Sequence, residues 1–140
     1  MAALMTSEFS GPNNYSIVFE DNGIVAYSYL LRVGEIVSDV WLYNRTAAPL
    51  ERPWKAGVHP PYLNPVEYCR ENTARLPDTI DDVKIEWQQQ GPNTTALVKI
   101  VGILFATLSS SEKPGRALLA AKDGPLARVL GKTAMASTVR

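Results

Sequence analysis

Few side chains in this chain are able to do chemistry, and their types set narrow limits on it. His59 and Cys69 are the only histidine and the only cysteine, so a thiol–imidazole nucleophile pair would have to be built from these two. Such a pair needs the base within hydrogen-bond reach of the sulfur. His59 stands in a His-Pro-Pro turn and Cys69 on a predicted helix, with no nucleophile signature around either. Cys69 therefore reads as a small, buried, apolar residue. One histidine and one cysteine cannot complete a structural zinc centre. Asp78, Asp81 and Asp82 lack the spacing and the glycine of a calcium loop, and read as turn and cap aspartates. Glu20 and Asp39 are predicted on opposite faces of a sheet, which argues against a carboxylate pair working as acid and base. The nine glycines are scattered and form no phosphate-binding spacing. The expectation is no catalytic residue, no metal ligand and no cofactor.

Asp39 is the residue that invites a functional reading. The predicted register sets it opposite Ser28, two positions from Trp41, on a face otherwise apolar. The plain explanation is a carboxylate hydrogen-bonded to Ser28 or to loop backbone, since buried polar groups are normally satisfied. The functional one is a polar anchor inside an aromatic pocket, the usual composition of a ligand site. Trp54, His59 and Tyr62 from the following loop would complete that pocket, or would close the core as a lid. Asp39, Trp41, Trp54, His59 and Tyr62 are thus the candidate binding residues.

The elements that must position them are β-hairpins. Tyr15–Glu20 and Ile24–Arg32 flank Asp21-Asn22-Gly23, and Asn-Gly between β-rich runs is the strongest short hairpin signal, because both turn positions take positive φ. A two-residue turn there pairs Phe19 with Ala26 and Val18 with Tyr27. A second turn at Val33-Gly34 leads into Ile36–Asn44, pairing Arg32 with Glu35 and Ala26 with Trp41. Both faces of this three-stranded meander are apolar, so both should be at least partly covered. Strand character returns at Val83–Gln88, turns through Gly91-Pro92-Asn93, and resumes at Thr95–Ile100. Val101-Gly102 then forms a tight turn into Ile103–Leu108, pairing Ile100 with Ile103 and Val98 with Phe105.

Residues 45–82 differ in kind. Prolines 49, 53, 60, 61, 65 and 77 exclude a central strand. Asn64-Pro65-Val66-Glu67 reads as the start of a short helix over Glu67–Ala74. A loop this long is uncommon unless it functions or covers something. Residues 1–14 and 110–140 are expected to be peripheral, the latter because no aromatic residue follows Phe105. No internal repeat is visible. The fold expectation is one domain over 1–140 with its core in 15–108. It is mainly β: an antiparallel meander plus hairpins, forming a small sandwich or curled sheet, with one short helix.

Charge excludes some classes. The 14 basic and 14 acidic residues balance, whereas a phosphate-neutralising protein carries an excess of Lys and Arg, so no nucleic acid is expected. The balance hides an asymmetry, with 12 of the acids before residue 91 and a basic excess beyond Ser109 that reads as a solvated tail. The Ala96–Leu108 stretch is interrupted by Lys99 and Gly102 and is too short to span a bilayer. A lone cysteine and a start without a basic, then apolar, leader point to the cytoplasm.

Val18-Phe19-Glu20-Asp21-Asn22-Gly23, the tyrosine-bearing strand behind it, and Asp39-Val40-Trp41-Leu42-Tyr43-Asn44 resemble a family of small bacterial proteins. Its members run F-E-D-D-G, then an aromatic strand, then an aspartate-led strand ending in I-Y-N, and later an I-x-W strand and an Asn-Gly hairpin. Ile85-Glu86-Trp87 is similar to the I-x-W strand, and Val101-Gly102 stands where Asn-Gly is expected. The resemblance covers residues 15–44 and 83–108 and implies a bacterial origin, without an activity. The leading functional expectation is a non-catalytic protein-binding module, self-associating or of the immunity-protein kind. Its rivals are a structural dimer without a ligand, and a small-molecule-binding protein or enzyme with a pocket around Asp39, Trp41 and His59.

Overall fold

The computed structural model describes residues 5–55 and 58–131. Within these residues the first sheet holds β1 (Met5–Ser10), β2 (Tyr15–Asp21), β3 (Val25–Arg32) and β4 (Glu35–Asn44), in that order. The second holds β5 (Val83–Gln90), β6 (Asn93–Ile100), β7 (Ile103–Ser109), β8 (Glu112–Ala117) and β9 (Arg128–Val129). All neighbours are antiparallel except β8 and β9. The alternating burial of β2, from Tyr15 to Asp21, is the period-2 pattern of a strand with one face on a core. Ile17, Phe19, Leu30 and Val40 from one sheet and Val98, Ile100, Phe105 and Leu108 from the other form a single core between them. The molecule is mainly β and antiparallel, as expected, and the sheets pack as a sandwich. No helix among the described residues is long and apolar enough to cross a membrane.

Turn chemistry decides how the hairpins pair. Val33 and Gly34 (φ 50° and 79°) and Val101 and Gly102 (φ 48° and 77°) are left-handed, the paired positive φ of a two-residue hairpin. Arg32 faces Glu35 and Ile100 faces Ile103, as predicted. Two residues later each returning strand bulges, at Val37 and at Phe105, and the pairing slips by one. A one-residue slip turns every later side chain to the other face. Asp39 therefore faces Tyr29, not Ser28, and Val98 faces Ala106, not Phe105. In the first hairpin Gly23 (φ 85°) alone is left-handed, and Asn22 N–H donates to Val25 O. The turn centres on Gly23-Ile24, one residue later than predicted, because Asn22 Oδ1 accepts the Ile24 and Val25 N–H groups. Phe19 consequently pairs with Ser28 and Val18 with Tyr29, while a second slip in β4, at Leu42, pairs Ala26 with Tyr43.

The structure also contains a repeat that the sequence conceals. Residues 12–41 and 80–109 correspond strand for strand at a constant separation of 68 positions. Short turns at Pro12–Asn14 and Ile80–Asp82 precede β2 and β5, left-handed at Asn13 and Asn14 in the first but not at the matching Asp81 and Asp82. Gly23 and Gly91 are both left-handed, and so are Val33-Gly34 and Val101-Gly102. Val33 N–H donates to Asn14 O, and Val101 N–H to Asp82 O. The β2–β3–β4 pairings recur in β5–β6–β7, from Tyr15 with Arg32 and Val83 with Ile100 through both bulges. Identical residues over this span are Ile17 and Ile85, Gly23 and Gly91, and the two Val-Gly pairs. What repeats is turn chemistry and alternation, not side-chain identity.

Both ends contribute more than expected. Met5 and Phe9 of β1 pack on the core, since pairing with β2 sets them on its buried face. Beyond Ser109, β8 and β9 extend the second sheet, and Ala117, Leu119, Ala120, Ala127 and Leu130 are buried. Small residues anchor here because the approach is close: a Cβ on Gly115 would lie 2.5 Å from Thr107 O and 3.3 Å from Val40 Cβ. The expectation of a peripheral tail is thus overturned over 110–131, while residues 132–140 lie outside the described ones. The helix expected over Glu67–Ala74 is a single 3-10 turn, Val66–Tyr68. Arg70 N–H donates to Leu119 O, Ala121 N–H to Tyr68 O, and Cys69 bridges Ala120. Extended pairing satisfies that backbone where an isolated short helix would be marginal.

Candidate functional site

Strand β4 carries the site, and its bulge decides what the site contains. Tyr29 and Asp39 are cross-strand partners, as are Tyr27 and Trp41, so these four side chains share the outer face of the first sheet. The Tyr27 and Tyr29 rings stack with centroids 6.2 Å apart and planes at 14°. Tyr27 Oη donates to Tyr62 O at 2.6 Å, which ties the proline-rich loop down over this face. The result is a cavity of about 180 Å3 lined by Tyr27, Tyr29, Asp39, Pro60, Pro61, Tyr62 and Leu126.

Asp39 is half-buried in this cavity and takes part in none of the side-chain hydrogen bonds or ion pairs among the described residues. Burial pushes its carboxyl above the usual aspartate range, and the charge of Lys113 partly opposes that rise. Tyr29 is pushed up to about 12 by burial, with Glu20 and Asp39 adding to it, and burial raises Tyr27 further. Both phenols are neutral at physiological pH. The pocket thus combines neutral aromatic walls with one carboxylate that has no side-chain partner among the described residues.

The other candidate residues separate. Trp41 is buried, but its indole N–H donates to Asn44 Oδ1 at 2.9 Å and it lines a neighbouring cavity with Asn44 and Cys69. Trp54 is half-buried between Tyr62 and Tyr68, with ring centroids 6.3 Å and 5.8 Å away. It is a lid residue. His59 is exposed and lines neither of these cavities. Cys69 donates to Asn64 O at 3.4 Å, and burial pushes its thiol up to about 11, so it stays protonated. Of the five, then, Asp39 and Tyr62 meet in one pocket. Tyr27 and Tyr29 escaped the sequence reading because the bulge at Val37 carries no local signal, and Pro60, Pro61 and Leu126 because only the folded chain brings them to this face.

No family model matches the chain, and neither a curated protein nor a solved structure matches it.

The residues of the F-E-D-N-G and D-x-x-x-Y-N segments contact one another and the loop. Asp21, wholly buried, accepts from Tyr43 Oη at 2.5 Å, Arg45 Nε at 2.7 Å and Gly23 N–H at 2.8 Å. Arg45 also donates to Pro77 O. Asn44 Oδ1 accepts from Trp41 and from Asn64 N–H at 3.0 Å, while Asn44 Nδ2 donates to Asn64 O at 2.9 Å. These bonds lock the first hairpin to both ends of the long loop. A buried carboxylate with three donors is a structural node. Asp82 plays a smaller part of the same kind, its carboxylate accepting the Asp78 and Thr79 N–H groups. Among the described residues no group of three or more His, Cys, Asp or Glu is placed to hold a metal ion.

Proposed function

We propose that this chain is a non-catalytic protein-binding module that docks through the outer side of its proline-stiffened loop, with a second copy of itself as the partner. The observation that carries the reading is the exposure of Leu50, Val58 and Val66, at 85%, 54% and 50%, on a loop whose inner side is fixed. Val66 N–H donates to Pro49 O, Asn44 holds Asn64, and Trp54 packs inward on Tyr62 and Tyr68. A braced backbone displaying aliphatic side chains loses little entropy on docking, and exposed apolar clusters mark interaction sites. Glu51, Arg52, Lys55 and Glu67 surround Leu50. Arg52 and Glu67 of this rim are already paired at 2.7 Å within the chain, so Glu51 and Lys55 are the charges that two-fold pairing would bring together.

Paired variants test the reading by sedimentation and thermal midpoint. Leu50→Asp should leave the midpoint nearly unchanged and abolish self-association. Trp54→Ala should lower stability by about 2 kcal/mol, short of the ~3–5 of a fully buried site, without changing the oligomeric state at temperatures where it is folded. A wild-type chain that stays monomeric into the high micromolar range would end this reading. A second reading, a ligand pocket, is favoured by the unpartnered Asp39 carboxylate.

A further inference from the structure

The repeat supplies an internal control for the Asp39 cavity. The equivalents of Tyr27, Tyr29, Asp39 and Trp41 in the second half are Thr95, Leu97, Thr107 and Ser109, at the same registers. These four line an open groove of about 320 Å3 on the outer face of the second sheet. The same backbone is therefore satisfied there by short hydroxyl side chains and one leucine. Neither tyrosines nor a carboxylate is required by strand, turn or bulge. A half-buried carboxylate with no partner among the described residues is less favourable there in its charged form than in water, and the second half shows that the fold does not require it.

From this we infer that the cavity between the Tyr27–Tyr29 face and Pro60–Tyr62 is a binding site for a small organic cation, a methylated ammonium group. The proposal rests on the pocket reading and is independent of docking by Leu50. Aromatic faces attract a cation through their negative quadrupole, most strongly where water is excluded, and an ionised carboxylate adds direct charge pairing. Tyr27 and Tyr29 stack side by side, Tyr62 closes from the loop, and Asp39 supplies the counter-charge. Glu20, cross-strand from Tyr27, adds a second negative charge near Tyr29, while Lys113 is the cation facing Asp39 and forms no ion pair with it. A methylated ammonium suits the pocket better than a bare one, because the apolar Pro60, Pro61 and Leu126 side chains contact methyl groups and offer no acceptors to a strongly hydrated NH3+. At about 180 Å3 the cavity has room for such a head group.

The test is titration of the full-length protein, followed by NMR, with choline and with its neutral carbon isostere, 3,3-dimethyl-1-butanol. Choline should give saturable shifts at Tyr27, Tyr29 and Tyr62, and the isostere should not. Asp39→Thr and Tyr29→Leu install the second half's residues, which this backbone already accommodates. Each should retain the native spectrum elsewhere and weaken choline roughly tenfold or more. Choline affinity should also fall as the pH is lowered through the raised Asp39 titration. Absence of a saturable choline shift well above millimolar concentration overturns the proposal, as does equal binding of the isostere or undiminished binding by Asp39→Thr. Free Nε-trimethyllysine separates two sources of the same chemistry: tighter binding than choline points to a protein side chain, weaker binding to a free metabolite. Leu50→Asp, carried through the same titration, should bind choline like the parent, so failure of the docking surface and failure of the cavity register separately.

Discussion

Asp39 shows how much one side chain's surroundings decide. On the predicted register it would share a face with Ser28. One bulge sets it against Tyr29 instead, without a side-chain hydrogen-bond donor among the described residues. Because its folded pKa is raised, chiefly by burial, the sign of its effect on stability follows. A group with a raised pKa stabilises the fold below its unfolded value, near ~3.9, and that contribution is lost as pH rises through the folded value. At neutral pH the charged form therefore weighs against folding. Asp39→Asn is expected to raise the thermal midpoint at pH 7, with the gain shrinking towards pH 4. A variant less stable than the parent at pH 7 would mean that Asp39 has a stabilising partner. Asp21, wholly buried, has three donors around it, a role that was opaque while it was merely an acid near a turn.

At the scale of the element, the hairpin tips carry a testable strain. Val33 and Val101 adopt φ of 50° and 48°, a region where a β-branched residue is a genuine outlier. The left-handed conformation costs an L-residue roughly 1–2 kcal/mol, and asparagine tolerates it better. Val33→Asn and Val101→Asn are therefore each expected to raise stability by about 1 kcal/mol in urea denaturation, since Asn-Gly is the preferred pair for this turn. Both valines are exposed, so little packing is lost. A drop in midpoint for both would mean the tips make contacts that outweigh the strain. The turns themselves were legible as Gly-containing breaks between β-rich runs. The bulges after them were not, since Val37 and Phe105 are ordinary strand residues and only the packing of two sheets requires the slip.

For the whole molecule, the decisive correction concerns the C-terminal third. Truncation after Ser109 removes β8, the buried Leu119, Ala120 and Leu130, and the Leu126 carbonyl that accepts the Trp41 N–H. It also strips Gly115 from its place against Val40. Loss of the cooperative thermal transition and of soluble expression is the expected outcome. A truncated chain with the parent's midpoint would show that the first seven strands need no cover. The alanines of this segment gave no warning, because a small residue becomes an anchor only where another surface comes close.

Sequence alone determined the elements: period-2 alternation made the strands, Gly-containing pairs made the turns, and prolines kept 45–77 out of both sheets. It also determined which acids, aromatics and lone His and Cys were available for chemistry. Tertiary structure decided which of them meet. It paired Asp39 with Tyr29, sent Trp54 inward, left His59 exposed, and hid a repeat behind unlike side chains. The physical reason is that alternation and turn propensity act between neighbours along the chain. Register slips, close approaches and unpartnered charges are settled between residues far apart in sequence, where only the packed sheets set the distance.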